Sequence, residues 1–236
     1  DLGRSFFTNK SVMNQLVKRI PISLKLAGFS MILTIVFGVG SGVLMAVKKD
    51  RLLDHVLGTF STAALSVPGF WIAIVLIFLF AEQWKLLPSS GIPGGSGFIL
   101  PAVTLALPSI GVCARLTRSA ILDEIGRQYM TVADAKGMSR RHAVICHAFG
   151  NALIPIITYL GNHMAGIIGG ASIVETIFAI PGIGSYAIAG VQSKDYYVVQ
   201  AYVLFSGCIY VLTNILIDLI YIALDPKIRA GEAVES

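Results

Sequence analysis

Five apolar runs, at residues 26–47, 56–81, 98–122, 152–178 and 198–224, constrain this chain more than any other feature. At about 1.5 Å per residue, each is long enough to cross a hydrocarbon layer of about 30 Å. In lipid, the backbone groups of such a run must be satisfied within the run, so each is predicted to be a helix. Composition points the same way: 55% hydrophobic and only 13% charged residues leave too little polar surface for a water-soluble domain of 236 residues. The expected fold is an all-α integral membrane bundle of five transmembrane helices.

Between the third and fourth runs lies a polar, basic island at 123–151. It is too charged for lipid and too regular for an irregular loop. Ala133, Ala135 and Gly137 punctuate a helical pattern, and Ser139 is placed to cap a second short helix. The predicted layout is therefore helix, glycine turn, helix, with Gly137 allowing a sharp turn that a Cβ would obstruct. Asp134, Lys136, Arg140 and Arg141 supply a polar rim suited to a partner's groove.

Basic residues set the topology. The Lys48–Arg51 loop, the island with Arg127, Lys136, Arg140 and Arg141, and the tail with Lys227 and Arg229 all fall on one side, predicted to be cytoplasmic. The C-terminus is then cytoplasmic, while residues 83–97 and 181–200 face outside. Residue types there predict a loop rich in Pro, Gly and Ser, followed later by a short interfacial helix after Pro181-Gly-Ile-Gly184. Residues 1–25 read as an external amphipathic lead-in that reaches the membrane at Pro21, ahead of a permease domain at 26–236. Five crossings would leave Arg4, Lys10, Lys18, Arg19 and Lys25 outside, so a sixth, N-terminal helix is expected ahead of this sequence. The net charge of +5 serves topology; no polar basic domain exists to bind nucleic acid.

Within the runs, Gly38, Gly40 and Gly42, and later Gly161, Gly166, Gly169 and Gly170, predict close helix packing. Pro68, Pro101 and Pro108 predict kinks. Ionisable residues at membrane depth are candidate sites because their burial is costly. Arg115 and Arg118 sit near the inner end of the third run, Glu175 near the outer end of the fourth, and Asp218 in the fifth, one turn beyond Asn214. His163 and Met164 offer an imidazole and a thioether that a borderline metal could touch in passing. His163, Met164 and Asp218 are therefore candidates for a translocation path, and His163 for a metal contact. Cys113, Cys146 and Cys208 have neither metal-like nor redox-like spacing.

No Gly-rich run ends in Gly-Lys-Ser or Gly-Lys-Thr, so this chain has no such route to binding nucleotide phosphates. His55, His142, His147 and His163 show neither a two-histidine metal motif nor a nucleophile and base pairing, which argues against an intramembrane enzyme. A secondary transporter driven by an ion gradient is the alternative; it would need paired charges at midplane, whereas these cluster near the ends.

The run Thr131-Val-Ala-Asp-Ala-Lys-Gly137, followed by His147 and Asn151-Ala-Leu-Ile-Pro155, resembles the cytoplasmic signature loop of ABC importer permeases of the dipeptide, oligopeptide and nickel branch. Thr131-Val132-Ala133 departs from the usual Glu-Ala-Ala opening. The resemblance continues through Asp1-Leu-Gly-Arg-Ser5, Ser66-Val-Pro-Gly-Phe-Trp71, Leu87-Pro-Ser-Ser-Gly91, Ala114-Arg-Leu-Thr-Arg118, Glu175-Thr-Ile-Phe178, Lys194-Asp-Tyr196 and Asp225-Pro-Lys-Ile-Arg229, covering essentially the whole chain. Gly161-Asn-His163 is more similar to nickel permeases.

The resemblance implies a multi-pass subunit of the cytoplasmic (inner) membrane that moves nickel, chelated or free, or di- and oligopeptides by alternating access. It implies a second homologous permease subunit, two ABC ATPase subunits that carry ATP and Mg, and an extracytoplasmic solute-binding protein as partners, with membrane lipid around them. This chain itself would bind no cofactor and catalyse no reaction. Thr131, Val132, Ala133, Asp134, Ala135, Lys136, Gly137, Arg140 and Arg141 are by resemblance the loop that couples to the ATPase.

Overall fold

The computed structural model describes residues 2–127 and 148–224. Among these, the elements are helical: α1 (Val12–Val47), α2 (Leu52–Ser66), α3 (Gly69–Gln83), α4 (Ile99–Ile125), α5 (Phe149–Gly170), α6 (Ser172–Ile177), α7 (Ile183–Gln192) and α8 (Tyr196–Leu224). A short 3-10 turn, Pro93–Phe98, leads into α4. The helices α1, α4 and α8 are each long and apolar enough to cross a membrane, and the bent pair α2–α3 makes a fourth if counted as one span. The fourth apolar run becomes α5 and α6, broken at Ala171; Asn151, Asn162 and His163 dilute the apolar character of α5.

Helix α1 absorbs the lead-in. Ser11 caps it, its hydroxyl accepting the Asn14 N–H at 3.5 Å, and the helix runs through Pro21 and Lys25 to Val47 without ending at the expected membrane edge. A proline removes one backbone donor, a loss that a long helix packed on both sides of it tolerates; Leu16, Leu26 and Ala27 are all buried around Pro21. One wide π-type stretch, Thr34–Val39, interrupts the helix where Gly38 approaches α4.

The prolines act differently from one another. Pro68 breaks its run outright: Val67 is extended (φ −94°, ψ 127°) and the helices on either side meet at 102°. The residue before a proline is disfavoured in the helical region, and Val67 takes the extended conformation that this preference allows. Pro101 instead falls in the first turn of α4, where its missing N–H has no helical partner to lose, and α4 continues unbroken through Pro108.

Helix α4 is the hub. Gly38 and Gly42 of α1 lie one turn apart and press against it: a Cβ at Gly42 would stand 2.5 Å from Thr117 Cβ and 2.6 Å from the Ala114 carbonyl oxygen, and one at Gly38 would stand 2.8 Å from Cys113 Cβ. Gly40 faces open space, so the packing face is narrower than the three glycines predicted. Gly111 of α4 abuts the Ser61 carbonyl of α2 in the same manner, at 2.5 Å for an added Cβ. On the other side, Gly161 of α5 receives Ile217 of α8, whereas Gly166 meets nothing.

Buried apolar residues gather at two places. A large cluster joins Leu16 and Leu26 of α1, Leu100 of α4, Phe178, Ile180, Ile183 of α7 and Val198 of α8. A smaller one joins Ala46, Ile121, Ala148, Ala152 and Ile156 at the opposite end. Helix α8 contributes little to either, with 6% of its apolar window buried inside the chain, which leaves that surface for lipid or another subunit.

Candidate functional site

Membrane-depth charges are costly unless paired, so the site is built from where each one goes. At one end Arg118 of α4 clasps Asp54 of α2 with both arms of its guanidinium: Nε donates to Oδ1 and Nη2 to Oδ2, each at 2.7 Å. The Asp50 N–H donates to the same carboxylate at 2.9 Å. Asp54 is buried and Arg118 half-buried, a fork geometry that fixes α2 against α4. Sequence reasoning assigned Arg118 no partner; the signal available was Asp54, an acid in the first turn of an apolar helix.

At the other end Glu175 of α6 is fully buried. Ser23 of α1 donates its hydroxyl to Oε1 at 2.5 Å while accepting the Ile183 N–H at 2.9 Å, and the Ser185 N–H donates to Oε2 at 2.9 Å. The carboxyl thus ties α1, α6 and the start of α7 together. Gly182 lies so close that a Cβ there would collide with the Glu175 carboxyl group.

Nearby, Ser5 donates to Asp195 Oδ2 at 2.6 Å, anchoring the N-terminal segment to the turn between α7 and α8. The Gly91 N–H donates to the Phe178 carbonyl at 2.8 Å, joining the loop before α4 to the same end. Arg19 stacks its guanidinium 4.7 Å from the Tyr186 ring centre. Burial, with the Asp195 charge, raises the Tyr186 phenol above its usual pKa against the pull of Arg19.

The residues singled out from sequence have varied fates. The loop residues Thr131, Val132, Ala133, Asp134, Ala135, Lys136, Gly137, Arg140 and Arg141 lie outside the described residues, as does His147. His163 stacks flat on Tyr159, with ring centres 5.6 Å apart and planes 4° from parallel, and its buried Nε2 has no hydrogen-bond partner among the described residues. Met164, on the adjoining face of α5, packs against the large apolar cluster. Asp218 is exposed on α8; Asn214 donates to the Tyr210 carbonyl of its own helix at 2.9 Å. No group of three metal-ligating side chains occurs among the described residues.

Beside the Asp54–Arg118 pair opens a cavity of about 720 Å³ between α2 and α4. His55, Thr59, Thr62 and Ser66, spaced along one face of α2, line one wall, and Arg115 the other. A second, wholly apolar pocket of about 270 Å³ lies at the α2–α3 bend, walled by Phe60, Trp71, Ile72 and Leu107. Sequence reasoning missed this groove because its walls come together only when α2 and α3 fold apart at Val67–Pro68.

This helical bundle has counterparts among solved structures. The chain is similar to a structure titled as inward-facing conformations of the MetNI methionine ABC transporter, with a TM-score of 0.75 over 90% of this chain and 97% of that one at 18% identity. It is also similar to a structure titled as an amino acid ABC transporter with histidines, TM-score 0.71 over 88% and 93% at 17% identity. At such identities these matches establish the fold.

Sequence comparison establishes the family. Residues 38–230 match the family described as "Binding-protein-dependent transport system inner membrane component", and the chain belongs to it. It is 38% identical to a probable peptide ABC transporter permease of Sinorhizobium fredii, over 97% of this chain and 76% of that protein. It is 34% identical to a probable D,D-dipeptide transport system permease of Escherichia coli, over 98% and 76%, and 33% identical to an Escherichia coli glutathione transport system permease, over 97% and 75%. This is an ABC importer permease of the inner membrane.

Proposed function

We propose that this permease carries peptides inward, working in a complex with a second permease subunit, two ATPase subunits and an extracytoplasmic solute-binding protein. One observation carries the substrate class: the relatives above, similar over nearly the whole of this chain, are named for peptides, D,D-dipeptides and glutathione. None of these three is named for nickel. ATP and Mg belong to the ATPase subunits, since this sequence offers no phosphate-binding loop.

The loop at 131–141 is the proposed coupling element, with its side of the membrane and the C-terminus cytoplasmic by the distribution of Lys and Arg. Closure of the ATPase pair would move this loop and rock the bundle between inward and outward access. The Asp54–Arg118 pair supports that reading, because it links α2 to the helix that leads into the loop.

The test is ATP-dependent uptake into vesicles that hold the full complex, with labelled dipeptide and labelled nickel in competition and binding protein supplied outside. Peptide uptake indifferent to nickel is expected. Nickel uptake resistant to peptide would overturn the substrate class. Replacing Gly137 with Asp is expected to leave ATP hydrolysis while abolishing uptake; normal uptake would sink the coupling assignment.

A further inference from the structure

The groove along α2 has the chemistry of a binding site. Arg115 lies about one helical turn beyond the Asp54–Arg118 clasp toward the middle of α4, and it is exposed with no carboxylate partner among the described residues. Asp54, the acid nearest in the groove, already accepts both arms of Arg118. Among the described residues, Arg115 is therefore a groove cation without a carboxylate partner. Such a charge at membrane depth must face water or an anion.

The α2 wall opposite supplies hydroxyls at Thr59, Thr62 and Ser66. Thr62 and Ser66 donate to carbonyls of their own helix, which leaves their oxygen lone pairs toward the groove as acceptors. The cavity and the apolar pocket at Trp71 adjoin at Ala63, which lies in the wall of both. A cation at one end, hydroxyls between and an aromatic pocket at the other end fit a short solute with a carboxylate and an apolar side chain.

We infer that this groove receives the transported solute, with Arg115 pairing with a terminal carboxylate and the Trp71 pocket taking an apolar side chain. The inference rests on the peptide reading and deepens it.

The experiment uses the full complex in vesicles with binding protein outside and labelled leucyl-phenylalanine as the probe. Arg115→Gln is expected to lower uptake per ATP hydrolysed about tenfold or more, as loss of a charge-assisted hydrogen bond implies, and Arg115→Lys to recover part of it. Trp71→Ala is expected to slow leucyl-phenylalanine several-fold more than glycyl-glycine.

Wild-type rates for Arg115→Gln would overturn the inference. So would a loss confined to vesicles with anionic lipid and absent in phosphatidylcholine, which would assign Arg115 to lipid headgroups. An equal fall in ATP hydrolysis and uptake that lysine does not repair would make Arg115 structural and also overturn it. A wild-type complex that takes up neither peptide would overturn the peptide reading itself, whereas peptide uptake indifferent to both substitutions would overturn only the groove.

Discussion

The two ends of this bundle hold a buried carboxylate in opposite ways. Glu175 is sealed: a serine hydroxyl and a backbone N–H serve its oxygens, and the large apolar cluster surrounds it. Asp54 is gripped by a guanidinium beside an open cavity, where the apolar support is five buried residues. A backbone N–H and a serine hydroxyl that is itself held by the Ile183 N–H favour one geometry, while an ion pair next to water can exchange partners. The lesson is that one end is built to stay as it is and the other can rearrange without leaving unsatisfied groups.

The largest effect expected from this contrast is at the sealed end. Glu175→Ala leaves the Ser185 N–H and the Ser23 hydroxyl without their acceptor, at about 2–4 kcal/mol. Thermal unfolding of the detergent-solubilised subunit measures it, and a shift no larger than that for an exposed residue would break the contrast. Next comes Gly42→Val, which drives a branched side chain into Thr117 and the Ala114 carbonyl at about 1–3 kcal/mol. Gly40→Val, facing open space, should cost far less, and equal costs would remove shape as the bond between α1 and α4.

A double-mutant cycle on Asp54→Asn and Arg118→Gln is expected to give a smaller coupling of about 1–2 kcal/mol, because water reaches Arg118. A coupling as large as the Glu175 effect would mean that both ends are sealed. The smallest change is expected at His163→Phe. Phenylalanine keeps the ring against Tyr159 and removes a buried nitrogen without a partner among the described residues, so stability should change by less than about 1 kcal/mol. Selective loss of nickel uptake in that variant would restore His163 as a metal contact.

Much of the fold was legible in the sequence because lipid permits so few backbone solutions. The first, third and fifth apolar runs became long single helices while the second and fourth broke at Pro68 and Ala171, Pro181-Gly-Ile-Gly184 did introduce the short helix α7, and Gly38 and Gly42 did mark a packing face. Pro68 was readable as a disturbance but not as a 102° bend, since the same residue type at 108 leaves α4 continuous. What decides between them is whether the flanking helices have somewhere to pack, which is a tertiary matter. The partners of Arg118 and Glu175 were illegible for the same reason: Asp54 and Ser23 stand 64 and 152 residues away in sequence. Distance along a chain carries no record of which charges will be left needing each other.

The bend at Val67 and Pro68 has a further consequence, one of leverage. Helix α2 is an arm of 15 residues, about 22 Å long, pivoting at a joint with no helical hydrogen bonds across it. Turning that arm by 10° carries its far tip, where Asp54 meets Arg118, through about 4 Å. A small angle at the joint thus becomes a displacement longer than a hydrogen bond at the tip, and the clasp either travels with α4 or lets go.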